Sequence, residues 1–293
     1  MALSDNARGA VYMMVAMATF TLNDTGMKAL TQDLPLFQSI AMRGVLTLTG
    51  LIGLAYALGQ FRLRLPGRDG WFILLRCFAE VVSTVLFLAA LVHMPLANLS
   101  AIMQAMPLAV TLAAAVVFGE KIGWRRMTAI LIGFVGVLII IRPGPEGFDR
   151  WSLMGLASVA FVVLRDLATR KLSREVPSVM VAVWASASVT ISALLVTLST
   201  GWQPVTAGQA GLVGFSALAL LFGYLFSVMV MRVGDIGFVA PFRYSALLWA
   251  LLLGWLAFGT LPDGLTLLGA GLVVATGLFT FWRERKIRSA PAP

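Results

Sequence analysis

Ten apolar runs, each close to the length of a membrane-crossing helix, fill this chain almost from end to end. They lie at Gly9–Leu30, Pro35–Gly59, Gly70–Val92, Leu96–Phe118, Arg126–Ile141, Ser152–Leu172, Ser178–Ser199, Gln209–Met231, Gly237–Phe258 and Leu265–Trp282. A helix crossing a bilayer needs roughly 20 apolar residues, so ten crossings with short loops consume nearly all 293 residues. The runs show no polar–apolar alternation, which argues against spanning strands. Most are bounded by Gly, Pro or charge, the usual punctuation, and the fifth is the shortest. Hydrophobic residues make up 59% and charged residues 12%, with a mean hydropathy of +0.91. A soluble domain is about half apolar and a quarter charged. Lipid must therefore be this chain's solvent, and no room remains for a soluble catalytic domain. The expected fold is an all-α integral membrane protein of ten transmembrane helices.

A net charge of +9 raises the question of nucleic acid, and the placement of the charges answers it. One set of alternate loops holds Arg8; Arg62, Arg64 and Arg68; Lys121, Arg125 and Arg126; Arg170, Lys171 and Arg174; Arg232; and Arg283, Arg285, Lys286 and Arg288. The other set holds only Lys28, Arg142 and Arg150. The positive-inside rule places both termini of such a multi-pass protein in the cytoplasm, with the inner membrane of a bacterial-type cell as its location. The basic balance is a topology signal, and no nucleic-acid partner is expected. The single cysteine, Cys77, excludes an internal disulfide framework, and the single histidine, His93, argues against a histidine-rich site. No metal and no cofactor are expected. Ala16-Met17-Ala18 resembles a signal-peptidase site, but the n-region has only Arg8 and the apolar stretch runs past the cut. It is read as part of the first helix.

The chain repeats itself. At an offset of 142, Asp24 matches Asp166, Lys28 matches Arg170, Leu30 matches Leu172, Asp33 matches Glu175 and Pro35 matches Pro177. At an offset of 140, Phe118-Gly119 matches Phe258-Gly259. This divides the chain into a first five-helix repeat (1–142), a short periplasmic linker (143–151), a second five-helix repeat (152–282) and a basic cytoplasmic tail (283–293). Five is odd, so the second half enters the membrane from the opposite side. Inverted repeats suit alternating access, because two similar halves can exchange conformations around a central site. That favours a transporter over a membrane enzyme or a scaffold.

The stretch Ala97-Asn98-Leu99-Ser100-Ala101 through Met106-Pro107 to Phe118-Gly119-Glu120-Lys121, then Gly133-Phe134-Val135-Gly136-Val137-Leu138, resembles the end of an EamA-type repeat. That family belongs to the drug/metabolite transporter superfamily, and the resemblance extends over nearly the whole chain. The second half departs from the pattern, with Thr260 where the first has Glu120. The resemblance implies export of amino acids or similar metabolites from the cytoplasm, with the YddG-type amino-acid exporters as the nearest branch.

Ionisable groups within a span are costly and mark a cavity or a partner. Three acid–base pairs recur at i, i+4: Asp24–Lys28, Arg76–Glu80 and Asp166–Arg170, a spacing that sets both side chains on one helix face. They read either as structural pairs, with Lys28 and Arg170 snorkelling to the interface, or as gates on opposite sides of the membrane. Arg43 and Arg243 have no local partner, so each should meet a carboxylate from another helix or from the substrate. Arg243 lies in Pro241-Phe242-Arg243-Tyr244-Ser245, with Trp249 one turn beyond. This offers a planar fork for a carboxylate beside aromatic walls. Tyr244 corresponds to Gln104 by the repeat offset. Asn98, Ser100 and Gln104 supply neutral hydrogen-bonding groups, with interhelical bonding as the plainer alternative. Glu80 and Thr84 on the third helix, Arg165 on the sixth and Tyr224 on the eighth complete the expected substrate-binding set. Most of this polarity is in helices 1, 3, 4, 6, 8 and 9. The fifth and tenth carry almost none and should face lipid. Pro107 interrupts the fourth helix.

No G-x-x-x-x-G-K-[ST] sequence occurs, so ATP hydrolysis is not the expected energy source. The expected function is a secondary active transporter exporting a small-molecule substrate, an amino acid or related metabolite, across the lipid bilayer. A substrate gradient or protons would drive it, with Glu80, Asp24 or Asp166 as the proton carrier. The alternative is export of cationic aromatic drugs, favoured if Glu80 faces an empty cavity and disfavoured if Arg76 neutralises it. An integral-membrane enzyme would need a clustered nucleophile or metal site, which one His and one Cys do not supply.

Overall fold

The computed structural model describes residues 4–62, 67–119, 123–142, 149–173, 175–230, 233 and 236–288. The linker 143–151, apart from its last three residues, and Glu120 of the Gly-Glu turn lie outside that set, as do the side chains of the basic tail. The described residues are helical: α1 (Asp5–Leu30), α2 (Leu36–Ala57), α3 (Gly67–His93), α4 (Leu96–Met103), α5 (Met106–Phe118), α6 (Trp124–Ile141), α7 (Arg150–Arg170), α8 (Ser178–Thr200), α9 (Ala207–Val230), α10 (Ile236–Val239), α11 (Ser245–Phe258) and α12 (Gly264–Arg288).

Local chemistry sets the ends. Pro35, Pro95 and Pro177 take extended conformations immediately before α2, α4 and α8, where the ring cannot continue the preceding helix. Asp149 caps α7 by accepting from the Ser152 amide at 3.0 Å. Gly119 and Gly259 end α5 and α11 at φ 68° and 64°, the left-handed conformation that glycine adopts without penalty.

Two of the spans are broken. Leu96–Phe118 divides at Gln104–Ala105, where the Ala105 amide turns back to the Ile102 carbonyl at 3.0 Å. Pro107 has no N–H to donate to Met103, so the regular ladder cannot pass this point. The second break is the 3-10 turn Ala240–Tyr244 between α10 and α11. Its last residue corresponds to Gln104 at the repeat offset.

Among the described residues, nine helical spans are long and apolar enough to cross a membrane. With 26 residues, α1 is also long enough, at about 1.5 Å per residue, but Asn23, Asp24 and Lys28 lower its hydropathy. The outer surface is apolar, with Val116, Leu131, Leu198 and Leu248 exposed. Trp71, Trp124, Trp202 and Trp282 stand near span ends, the placement tryptophan takes at a membrane interface. The chain is a multi-pass membrane protein.

Four close pairings build the bundle: α1 with α9, α3 with α7, α6 with α12 and α2 with α8. Absent side chains permit the approach. Gly136 and Gly269 bring the backbones of α6 and α12 together, and Gly223 makes room for Phe20 between α1 and α9. The α3–α7 pair is tied along its length. Asp69 accepts from the Ser173 amide and hydroxyl at 3.1 and 2.6 Å, Ser158 donates to the Ser83 carbonyl at 3.1 Å, and His93 stacks on Trp151 at 3.5 Å. These ties hold Glu80 opposite Arg165. The fifth and tenth spans, α6 and α12, pair with each other, and none of their described residues lines the central cavity.

Candidate substrate cavity

Between α1, α3, α4, α5, α7, α9 and α11 lies a cavity of about 500 Å3. It is within the range of sites for drug-sized molecules, roughly 300–1,000 Å3. Seven of the ten expected binding residues line it: Glu80, Thr84, Ser100, Gln104, Arg165, Tyr224 and Arg243. Asp24, Arg76 and Asp166 join them from the pairs, and Arg43 enters from α2.

Most of the charges fall into two groups. Arg76 approaches Glu80 at 3.3 Å from one side and Arg165 approaches it at 3.4 Å from the other. Arg165 also holds Asp166 with two nitrogens, each at 2.9 Å. Arg76 donates to the Thr169 hydroxyl at 3.1 Å. Across the cavity Arg43 donates to the Asn23 carbonyl oxygen at 3.1 Å, and Asn23 donates to Asp24 at 2.9 Å. The two sides repeat one device: Asn23 on Asp24 and Arg165 on Asp166 are equivalent residues at the offset of 142. The neutral groups are different. Thr84, Ser100, Gln104 and Tyr224 make no side-chain hydrogen bond among the described residues, so their polar atoms are available to a ligand. Phe20 meets Tyr224 edge-on at 5.8 Å, and with Phe87, Met103 and Met106 forms the apolar wall.

Five expected residues are not in the cavity lining. The Tyr244 hydroxyl lies against Gly277 of α12, with its ring edge-on to Phe281, because the 3-10 turn rotates that face away. Asn98 on α4 and Trp249 on α11 are not among the lining residues. The expected Asp24–Lys28 pair is replaced: the Lys28 ammonium donates to the Leu91 and Met94 carbonyls at 2.6 and 2.7 Å and caps the end of α3. Arg170 stands over the Phe118 ring at 5.7 Å, while Asp166 is held by Arg165. Of the three i, i+4 pairs, Arg76–Glu80 is the one within ion-pair distance among the described residues. Phe20, Phe87 and Met103 carried no signal in the sequence, since an apolar residue facing a cavity looks like any core residue. Ser83, at 3% exposure, shares the polar stripe of Glu80 and Thr84 on the third helix, whereas Ser158 was legible only as a small polar group.

The fold and the site together are a multi-pass helical bundle enclosing a charged cavity. Residues 7–142 and 149–282 each match the EamA-like transporter family, and the chain belongs to that family. It is 34% identical over 225 residues, 75% of this chain and 74% of the relative, to a riboflavin transporter of Vibrio cholerae. It is 24% identical to the pseudopaline exporter CntI of Pseudomonas aeruginosa, covering 91% of this chain and 93% of that one. A solved crystal structure superposes with a TM-score of 0.65 over 96% of this chain and 99% of its own, at 19% identity, a likeness of fold. The matched family and these relatives are transporters of small molecules.

Proposed function

We propose that the protein is a secondary carrier that moves a small metabolite with a flat ring and a polar tail across the inner membrane by alternating access. The observation that carries this reading is the central cavity of about 500 Å3, roomier than a single amino acid needs. Aromatic side chains wall it, and several neutral hydrogen-bonding groups in it lack protein partners. Its similarity to the Vibrio cholerae protein makes riboflavin the first compound to test. Both termini lie in the cytoplasm, and α1 is the tenth crossing, its polar residues turned to the cavity.

Two inverted five-helix halves support alternating access. Exchanging the halves turns the α1–α9 pairing into the α7–α3 pairing and maps α2–α8 and α6–α12 onto themselves. The two broken spans coincide under the same exchange. Lys28 would close the outer side and Arg170 the inner side.

Amino-acid export is the second reading, favoured by a cavity lining that holds Arg243 for a carboxylate and Ser100 and Gln104 for an ammonium. Export of cationic drugs has less support, because Glu80 is already engaged by Arg76 and Arg165. If protons drive the cycle, Asp24 is the carboxyl best placed to take one, since among the described residues it is bonded by Asn23 and by no cation directly. Counterflow tests the reading. Labelled riboflavin should enter liposomes holding the protein faster when unlabelled riboflavin is inside, and an imposed proton gradient should change the rate if protons are coupled. Counterflow of tryptophan without riboflavin would favour the amino-acid reading; flux of neither would contradict both.

A further inference from the structure

The cavity's acids and bases do not balance. Its carboxylates are Asp24, Glu80 and Asp166, and its guanidiniums are Arg43, Arg76, Arg165 and Arg243. Each carboxylate has a nearer cation than Arg243: Asp24 faces Arg43 through Asn23, Glu80 holds Arg76 and shares Arg165, and Asp166 holds Arg165. Arg243 lines the cavity and makes no hydrogen bond or ion pair among the described residues. The charges that reach it are Asp166, already engaged, and the like charge of Arg165. A guanidinium in the middle of a membrane protein is costly unless something answers it.

We infer that Arg243 is the subsite for an oxyanion on the substrate, and that the carrier prefers a ring compound bearing one carboxylate or phosphate group over its neutral counterpart. This rests on the reading of the cavity as the substrate's. Three features give it shape. The 3-10 turn Ala240–Tyr244 places Arg243 at the break in its span, and its side chain lines the cavity while that of its neighbour Tyr244 packs on α12. The fork offers two parallel donors to an oxyanion. Met103, the counterpart of Arg243 at the offset of 140, lines the same cavity with an uncharged thioether, so the two halves differ here in charge. The site is asymmetric where a substrate with one charged end requires it.

The test compares charge on a constant ring. Binding to the purified full-length protein is measured for riboflavin, its 5′-carboxylate and flavin mononucleotide, and separately for indole-3-ethanol and indole-3-acetate. At least one anionic form should bind about tenfold tighter than its neutral partner, the size expected of charge-assisted hydrogen bonds. The two flavin anions distinguish carboxylate from phosphate. Arg243→Gln should bring the anion-to-neutral ratio to about one, and Arg243→Lys should restore part of it. A wild-type ratio of one or less on both rings overturns the inference without any variant. A ratio unchanged in Arg243→Gln overturns it as well. Riboflavin counterflow with no anion preference would leave the carrier reading intact and remove only the oxyanion subsite; an anion preference on the indole ring alone would support the subsite and contradict the flavin.

Discussion

The Lys28 ammonium stands 5.6 Å from the centre of the Phe258 ring, and its counterpart Arg170 stands 5.7 Å from the Phe118 ring. Each cation comes from the first helix of one half and each ring from the end of the fourth span of the other. The two contacts are equivalent under the repeat, since Lys28 matches Arg170 and Phe118 matches Phe258. Lys171 reinforces the second, at 4.7 Å. Lys28 has further bonds to the Leu91 and Met94 carbonyls, so it ties α1, α3 and α11 at one end of the bundle.

Lys28→Met keeps the apolar stem and removes these bonds. The cation–π contact is worth about 1–2 kcal/mol where water is scarce. Loss of the contact should shift the resting population toward opening at that end by roughly tenfold. Hydrogen exchange at the end of α3, around Leu91, should quicken in the variant. Unchanged exchange there would mean that Lys28 only packs.

Tyr244 and Gly277 form a close contact of another kind. The phenol occupies the space where a side chain at 277 would begin, so Gly277→Ala should cost about 1–3 kcal/mol by overpacking. The Tyr244 hydroxyl is buried with no partner among the described residues. Tyr244→Phe should therefore leave thermal stability equal or slightly higher and counterflow within twofold. A large loss of counterflow in Tyr244→Phe would return that residue to the cavity.

The cavity network predicts an order of stabilities. Arg165 answers both Glu80 and Asp166, whereas Arg76 answers Glu80, which keeps Arg165 when Arg76 is removed. Arg165→Met should lower the melting temperature of the detergent-purified protein more than Arg76→Met does. Stranding a buried charge costs about 3–5 kcal/mol. Equal losses would mean that the two guanidiniums are interchangeable.

Outside the spans, Asp263 caps α12 through the Thr266 amide at 2.9 Å and pairs with Arg142. The Arg142 hydrogen bond, then those from Thr266, hold the Asp263 carboxyl well below the usual carboxylate range. A depressed folded value means that the unfolded chain takes up the proton first as pH falls. The contribution is complete above about pH 4, the ordinary carboxylate value, and declines as pH drops below it toward the folded value. Melting temperature should fall between pH 4 and 2.5 less steeply in Asp263→Asn than in the wild type. Parallel curves would show that the contact is too exposed to matter.

The membrane spans were legible because burial in lipid demands long apolar runs, and the ends were legible because Pro35, Pro95, Pro177, Gly119 and Gly259 each carry a local backbone constraint. Glu80, Arg165 and Arg243 were legible for a related reason, since a charge within an apolar run must be answered by something. Direction around the helix was harder. The repeat aligns Tyr244 with Gln104, but the 3-10 turn before Tyr244 and the α4–α5 break at Gln104 rotate the two residues differently, so Gln104 faces the cavity and Tyr244 faces α12. Lys28 and Asp24 share a helix face, yet the free carbonyls before Pro95 outcompete the carboxylate for the ammonium. A partner 63 residues away cannot be read from local spacing.

Access to Gln104 from the two sides of the membrane distinguishes alternating access from a fixed or open pathway. In a Cys77→Ser background, Gln104→Cys would be exposed to a membrane-impermeant thiol reagent applied to one side of sealed vesicles, then to the other, with and without riboflavin. Alternating access predicts labelling from both sides, with each rate changed by substrate and no leak of small ions through the protein. Labelling from one side under every condition, or labelling from both accompanied by a steady ion leak, would contradict it.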